Sequence, residues 1–318
     1  MSEIMAGEDF ICEELRAQLP GALVRADEPL ARRTTLRVGG RADIYVEPSS
    51  EGDLARVIQL CRERGVPFLV LGRGSNLLIR EGGIRGVVLC LAHPAFRAIE
   101  VFGRQLRCGG GAKLKDVSVR AREAGLSGLE FLEGIPGSVG GALRMNAGAM
   151  GGATFGVVTH VRFMDEFGEI HEYSASRMNA GYRSCPLLKS CVALGATFQG
   201  EPAPPELIDR RSREFNERRW QSQPKEPSAG CIFKNPSPTL SAGKAIDEAG
   251  LKGARVGGAV VSGVHANFII NEGAATARDV LDLIGLIQAR VKAERGIDLV
   301  TEVEIVGEEI SQKPDDLS

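Results

Sequence analysis

The sequence predicts an α+β fold, and three observations carry that reading. Between Arg33 and Phe198 short alternating strands outnumber helices. A glycine-dense stretch, Gly128–Gly152, interrupts them. At Gly200-Glu201-Pro202-Ala203-Pro204-Pro205 the composition shifts, and a region with its own strands and one long helix follows. Proline and glycine punctuate such boundaries because neither propagates regular structure. The chain therefore divides into a lead-in (1–30), a domain of two lobes (31–200, split as 31–90 and 91–200), a second domain (201–310) and a frayed tail (311–318).

The elements follow in order. A short helix is expected near Glu13–Leu19. Thr34, Thr35, Gly39 and Gly40 form a turn before a strand at Ile44–Glu47. Glu51–Arg64 is an amphipathic helix, with Leu54, Val57, Ile58 and Cys61 on one face and Gly65 ending it. Pro67–Leu71 is a buried strand. Val87–Leu91, Ile99–Phe102 and Gln105–Cys108 are strands, the last two turned at Phe102-Gly103-Arg104. Lys113–Ala124 is a helix. Val157–Met164 and Ile170–Tyr173 make a hairpin turned at Glu166-Phe167-Gly168, and Cys191–Phe198 is a strand. Beyond the proline-rich hinge, Glu206–Arg219 is a charged helix. Strands follow near Ala259–Val261, Phe268–Asn271 and Val303–Val306. The helix Thr276–Arg295 carries Val280, Ile284, Ile287 and Val291 as a packing face.

Composition narrows the function. Hydrophobic residues are 43% and charged residues 25%, ordinary for a globular protein in water. A formal charge of -2 gives no reason to expect nucleic acid or an anionic membrane as partner. No apolar run approaches the roughly 20 residues of a membrane span. The acidic, polar stretch Met1–Phe10 does not read as a signal peptide. Seven scattered cysteines without a C-x-x-C pair indicate free thiols in a reducing cytoplasm. No histidine or cysteine cluster has metal-ligand spacing, so no metal is expected.

The glycine stretch reads G-L-E-F-L-E-G-I-P-G-S-V-G-G-A-L-R-M-N-A-G-A-M-G-G. That density weakens helices and strands alike, so neither is expected within it. It suits a backbone lying against a ligand, its N–H groups forming an anion nest with the Ser138 hydroxyl beside them. A second loop, Gly72-Arg73-Gly74-Ser75-Asn76-Leu77, follows the strand at 67–71. It lacks the third glycine of a Rossmann fingerprint and the G-K-[ST] of a P-loop. Together the two loops form a pair able to grip a diphosphate.

These motifs identify a family. In order they are G-R-G-S-N-L-L-I (72–79), G-I-P-G-S-V-G-G-A (134–142), M-N-A-G-A (145–149), Gly181-Tyr182-Arg183, S-A-G-C-I-F-K-N-P (228–236) and Glu302-Val303. The chain resembles the UDP-N-acetylenolpyruvoylglucosamine reductases of peptidoglycan precursor synthesis, from about Arg33 to Glu308. The resemblance implies an FAD-binding domain of the vanillyl-alcohol-oxidase type in two lobes, followed by a substrate-binding domain. It implies FAD as cofactor, NADPH as electron donor and UDP-N-acetylmuramate as product, serving cell-wall biogenesis, cell shape and division; a monomer in the cytoplasm is expected. Some members of the flavin superfamily attach the flavin to a histidine in the phosphate loop. Residues 72–79 contain none, so FAD is expected to be non-covalent. The short interval from Arg183 to Cys231 resembles the family's compact type, without an inserted substrate-closing loop.

The same resemblance assigns residues. Gly72, Arg73, Gly74, Ser75, Asn76, Leu77, Gly134, Ile135, Pro136, Ser138, Gly140, Gly141, Asn146 and Gly148 fall on flavin-binding positions. Tyr182, Arg219, Gln223, Lys234 and Asn235 fall on positions contacting the nucleotide-sugar or the phosphates of the nicotinamide cofactor; Tyr182 reads equally well as packing. Arg183, Glu302 and Cys231 match the catalytic trio. Hydride addition to an enol-ether carboxylate builds negative charge on the adjoining carbon and its carboxylate. A guanidinium holds such a carboxylate at two points. A carboxyl can donate to it only if protonated, which needs burial. Glu304 shares strand parity with Glu302, and spacing alone does not choose between them; the Glu-Val pattern selects Glu302. Cys231 stands where the family has serine as proton donor. A thiol, with its reference pKa of about 8.5, is the easier acid, although neighbouring cations favour a thiolate that cannot donate. Two alternatives are a flavin oxidase acting on another sugar and a non-catalytic nucleotide-sugar-binding paralogue. His265 and Asn267 are expected to be structural. Arg33 stands where the family has asparagine.

Overall fold

The computed structural model describes residues 2–310, so the tail at 311–318 lies outside the described residues. The chain forms two compact units, each assembled from separated segments. The first comprises residues 1–26, 44–73 and 86–221, and the second comprises 27–43, 74–85 and 222–318.

In the first unit, a five-stranded antiparallel sheet runs in the order Ile170–Ser174, Val158–Met164, Val192–Gln199, Gln105–Gly109, Ile99–Phe102. Successive strand residues point to opposite faces. Ala193 enters one core, with Phe131, Leu132, Val139 and Leu143, while Val192 and Leu194 enter another, with Leu54, Val57 and Ile58. A register shift between the pair Phe163 with Ala193 and the pair Arg162 with Gly195 then switches the face, so that Ala196 and Phe198 return to the first core. The second core is closed by the helix Glu51–Glu63, whose Ser50 cap accepts from the Asp53 N–H. It also includes strand Phe68–Val70, paired in parallel with Val87–Leu89 through their backbones. The N-terminal helix is longer than expected, Ser2–Gln18.

Two sequence expectations give way here. The glycine stretch contains a helix, Val139–Met145, capped by Ser138 and ended by Asn146 in the left-handed region at φ 40°. Burial of Val139, Ala142 and Leu143 outweighs the poor propensity of Gly140 and Gly141. The proline-rich segment is not a free linker. Glu201–Pro202 pairs antiparallel with Leu126–Ser127, and the helix after it, Pro205–Ser222, falls almost wholly within the first unit. Pro202 sits on a two-residue pairing where its missing N–H is tolerated.

The second unit has one core. Leu36, Val38 and Leu78 join Ile232, Phe233, Ile246, Ile269, Val280, Ile284, Ile287 and Val303. An antiparallel sheet orders Ser228–Cys231, Phe268–Asn271, Ala259–Val261 and Arg255–Val256. Helix Ala277–Arg295 covers it, starting at a reciprocal capping box between Thr276 and Asp279. A further helix, Ala242–Glu248, went unforeseen. Leu77–Ile79 pairs in parallel with Glu304–Val306.

Candidate functional site

In the first unit Gly72, where one glycine loop begins, meets Ser138 of the other. A Cβ on Gly72 would stand 2.9 Å from Ser138 Oγ, so any other residue there would displace the serine hydroxyl. Around Gly134 an added Cβ would meet nothing within 4 Å, and Gly72, Arg73 and Pro136 are exposed. The floor is rigid. Val139 N donates to Ala112 O at 2.9 Å and Gly140 N to Gly110 O at 2.8 Å. Ile135, Gly137, Gly141 and Ala142 likewise donate within the protein. The expected row of inward N–H groups is therefore largely consumed by the fold. The Ser138 hydroxyl and the exposed Gly72-Arg73 backbone are what this surface offers a phosphate.

A buried carboxylate braces the approach to this loop. Glu130 is 5% exposed and accepts from Ser127 Oγ and from the Gly128 N–H, each at 2.7 Å. Arg211 donates to the same Ser127 hydroxyl at 2.8 Å, and Arg219 donates to the Glu133 carbonyl at 3.2 Å. Burial pulls the Arg219 pKa down from its ordinary value, and Glu133 opposes that shift.

Past the helix, the chain makes a tight turn at Gly181-Tyr182-Arg183-Ser184. Gly181 N donates to Ser184 O at 2.8 Å, and Arg183 is held at φ 53°. Its guanidinium lies 5.2 Å from the Tyr182 ring centre, with Tyr182 61% exposed. A Cβ on Gly148 would stand 3.4 Å from Arg183 Nη1.

In the second unit Gly74, Ser75, Asn76 and Leu77 meet the C-terminal segments. Asn76 Nδ2 donates to Glu302 O at 3.1 Å, and the Glu304 N–H donates to Asn76 O at 3.0 Å. Glu302 N donates to Ile232 O at 2.7 Å, next to the half-buried Cys231. Gly230, at φ 75°, passes within 3.8 Å of Ser75 O as measured from an added Cβ. Thr35 contributes what the sequence read only as a turn: its hydroxyl donates to Ser228 O at 2.7 Å and lies 3.3 Å from Gly74 O. Asn267 bonds both the N–H and the carbonyl of Phe233, at 2.9 and 2.8 Å.

Residues 42–174 match an FAD-binding domain family, and residues 223–306 match the UDP-N-acetylenolpyruvoylglucosamine reductase C-terminal domain. A UDP-N-acetylenolpyruvoylglucosamine reductase from Geobacter metallireducens is 46% identical over 95% of this chain and 99% of its own. The chain belongs to this reductase family. A Heliobacterium modesticaldum reductase is also 46% identical, over 88% of this chain and 90% of its own. The crystal structure of the Thermus caldophilus reductase superposes with a TM-score of 0.79 at 38% identity, covering 89% of this chain and 99% of that one. As a reductase of this family the protein is an oxidoreductase with an FAD-binding domain, and its fold is the expected α+β one with a C-terminal domain. The exposed Gly72-Arg73 backbone beside Ser138 lies within the matched FAD-binding domain and is compatible with a bound dinucleotide.

Within this reductase the expected residues distribute over both units. Arg183, Tyr182, Arg219, Asn146, Gly148 and the 134–141 loop belong to the first; Cys231, Glu302, Lys234, Asn235, Gln223 and residues 74–77 belong to the second. Cys231 and Glu302 lie on adjacent backbone segments, as do Asn76 and Glu302. The Lys234 N–H donates to Val300 O at 2.9 Å, and Asn235 Oδ1 accepts from Ala242 N at 3.1 Å. Arg33 forms an ion pair with the nearly buried Glu28 at 2.7 Å. His265 accepts the Asn267 N–H on Nδ1 at 3.1 Å and packs on Phe268, a structural role. Among the described residues the cysteines form no disulfide; burial pushes the Cys61 and Cys108 thiols up to about 12, out of the reactive range. No described helix is long and apolar enough to cross a membrane.

Glu130, Thr35 and Asn267 were not singled out for these tasks from the sequence. Thr35 and Asn267 work through backbone groups distant in the chain, so no local spacing marks them. Glu130 instead binds its near neighbours Ser127 and Gly128, and the Ser127-x-x-Glu130 spacing is a signal that could have found it.

Proposed function

We propose that this chain reduces the enolpyruvyl group of UDP-N-acetylglucosamine enolpyruvate to give UDP-N-acetylmuramate, with NADPH as electron donor and FAD held without a covalent bond. FAD bound there and reduced by NADPH would supply the hydride for the terminal methylene carbon. Arg183 grips the substrate carboxylate through two N–H groups as charge builds there. Glu302, in its protonated form, donates a hydrogen bond to the same developing charge. Cys231 delivers the proton to the adjoining carbon, and its thiol is an easier acid than the family's serine. Tyr182, Lys234, Asn235 and Gln223 hold the nucleotide-sugar or the nicotinamide cofactor. Gly72, Arg73, Gly74, Ser75, Asn76 and Leu77, with Gly134, Ile135, Pro136, Ser138, Gly140, Gly141 and Gly148, line the flavin. The protein works as a monomer in the cytoplasm.

The observation that most supports this reading is the bond from Glu302 N to Ile232 O at 2.7 Å, which sets the proposed acid, Cys231, on the segment beside Glu302. The test is an anaerobic titration. NADPH is expected to bleach the yellow protein, and the enolpyruvyl sugar nucleotide to recolour it in one equivalent. Bleached protein that only oxygen recolours would instead indicate an oxidase.

A further inference from the structure

The turn that carries Arg183 is built against its own preference. Tyr182 and Arg183 are the two central residues between the paired Gly181 and Ser184, and the second of them has φ 53°. A turn with positive φ at that position is ordinarily filled by glycine or asparagine. An arginine persists there only if its surroundings fix it, and such outliers cluster where side-chain direction matters. Two hydrogen bonds attach the turn to the end of helix Val139–Met145: Cys185 N donates to Arg144 O at 3.0 Å, and Asn146 Nδ2 donates to Gly181 O at 2.9 Å. The other end of the same amide is also engaged, with Asn146 Oδ1 accepting from Phe155 N at 3.1 Å. Asn146 itself sits at φ 40°, a conformation asparagine tolerates well. Two residues on, Gly148 lies beside the guanidinium, an added Cβ there standing 3.4 Å from Arg183 Nη1.

From this geometry we infer that Asn146 is a positioning residue for Arg183. Its amide, engaged at both ends, acts as a strut between the 154–156 segment and the turn and sets the guanidinium's direction, in place of the flavin contact that the resemblance implied. This rests on the reading of Arg183 as the carboxylate clamp.

The experiment compares Asn146→Asp, Asn146→Gly, Arg183→Ala and the double variant Asn146→Asp/Arg183→Ala as flavin-loaded enzymes. Asp keeps the acceptor for Phe155 but loses the donor to Gly181; Gly keeps the left-handed backbone without the amide. Both single Asn146 variants are expected to retain flavin and the KM for NADPH while kcat falls about tenfold to 100-fold, the scale of a small misplacement of a reacting partner. The double variant is expected to be no slower than Arg183→Ala alone. Flavin loss in Asn146→Gly, or unchanged kcat in Asn146→Asp, would overturn the inference while leaving the clamp intact. Near-normal turnover in Arg183→Ala would overturn the clamp, and the inference with it.

Discussion

Asn76 and Glu302 are joined side chain to backbone, Asn76 Nδ2 donating to Glu302 O at 3.1 Å. The neighbouring Glu304 N–H returns a bond to Asn76 O at 3.0 Å, where the parallel pairing of Leu77–Ile79 with Glu304–Val306 begins. A residue expected to serve only the flavin loop thus also fixes the backbone of the proposed hydrogen-bond donor.

Replacing Asn76 with alanine should therefore act on both. Losing the side-chain bond is expected to cost about 1 kcal/mol of stability, read by urea denaturation. Turnover should fall by more than that stability loss explains, with Glu302 less firmly aimed.

Cys231→Ser should keep turnover within about tenfold, because a hydroxyl can also deliver a proton, whereas Cys231→Ala should lose about 100-fold or more, the usual scale for removing a general acid. Single-turnover flavin reoxidation measures the step directly. Equal, near-normal rates in the two variants would remove Cys231 from the chemistry.

Burial holds the His265 pKa below its ordinary 6.5. Between that depressed value and 6.5 the unfolded chain binds a proton that the folded chain refuses, so stability rises with pH there and is lost on acidification. Protonation also removes the lone pair on Nδ1 that accepts the Asn267 N–H. Denaturation midpoints should drop as pH falls below 6.5, and His265→Gln should flatten that slope.

Arg219→Ala removes the bond to the Glu133 carbonyl just before the 134–141 loop. Faster flavin release is expected, followed by the fluorescence of the freed cofactor. A raised KM for the sugar nucleotide with flavin fully retained would place the guanidinium on the substrate instead.

Glu130→Ala leaves the buried Ser127 hydroxyl and Gly128 N–H without their acceptor. A loss of about 1–3 kcal/mol is expected, measured by thermal denaturation of the flavin-loaded protein.

Periodicity made the longer elements legible. The helix at 51–63 and the long helix ending at Arg295 show their buried faces directly in residue spacing. Quoted motifs made the family legible. Val139–Met145 was hidden because its two glycines argue against a helix, and the burial that outweighs them comes from residues elsewhere in the chain. The proline-rich segment read as a hinge because its partner strand, Leu126–Ser127, is only two residues long and lies far upstream. The task of Thr35 shares that character, since its hydroxyl binds the Ser228 carbonyl, which no sequence pattern announces.

The second unit draws on residues 27–43 and 74–85 as well as on the C-terminal stretch. Its hydrophobic interior needs Leu36, Val38 and Leu78, and its parallel pair needs Glu304–Val306. On the ribosome, then, its earliest pieces must wait for the rest of their core until almost the whole polypeptide has emerged. A gene fragment beginning at Ser222 would express a domain missing part of its interior, and a stop codon a few residues before Glu304 would leave Leu77–Ile79 with no strand to join.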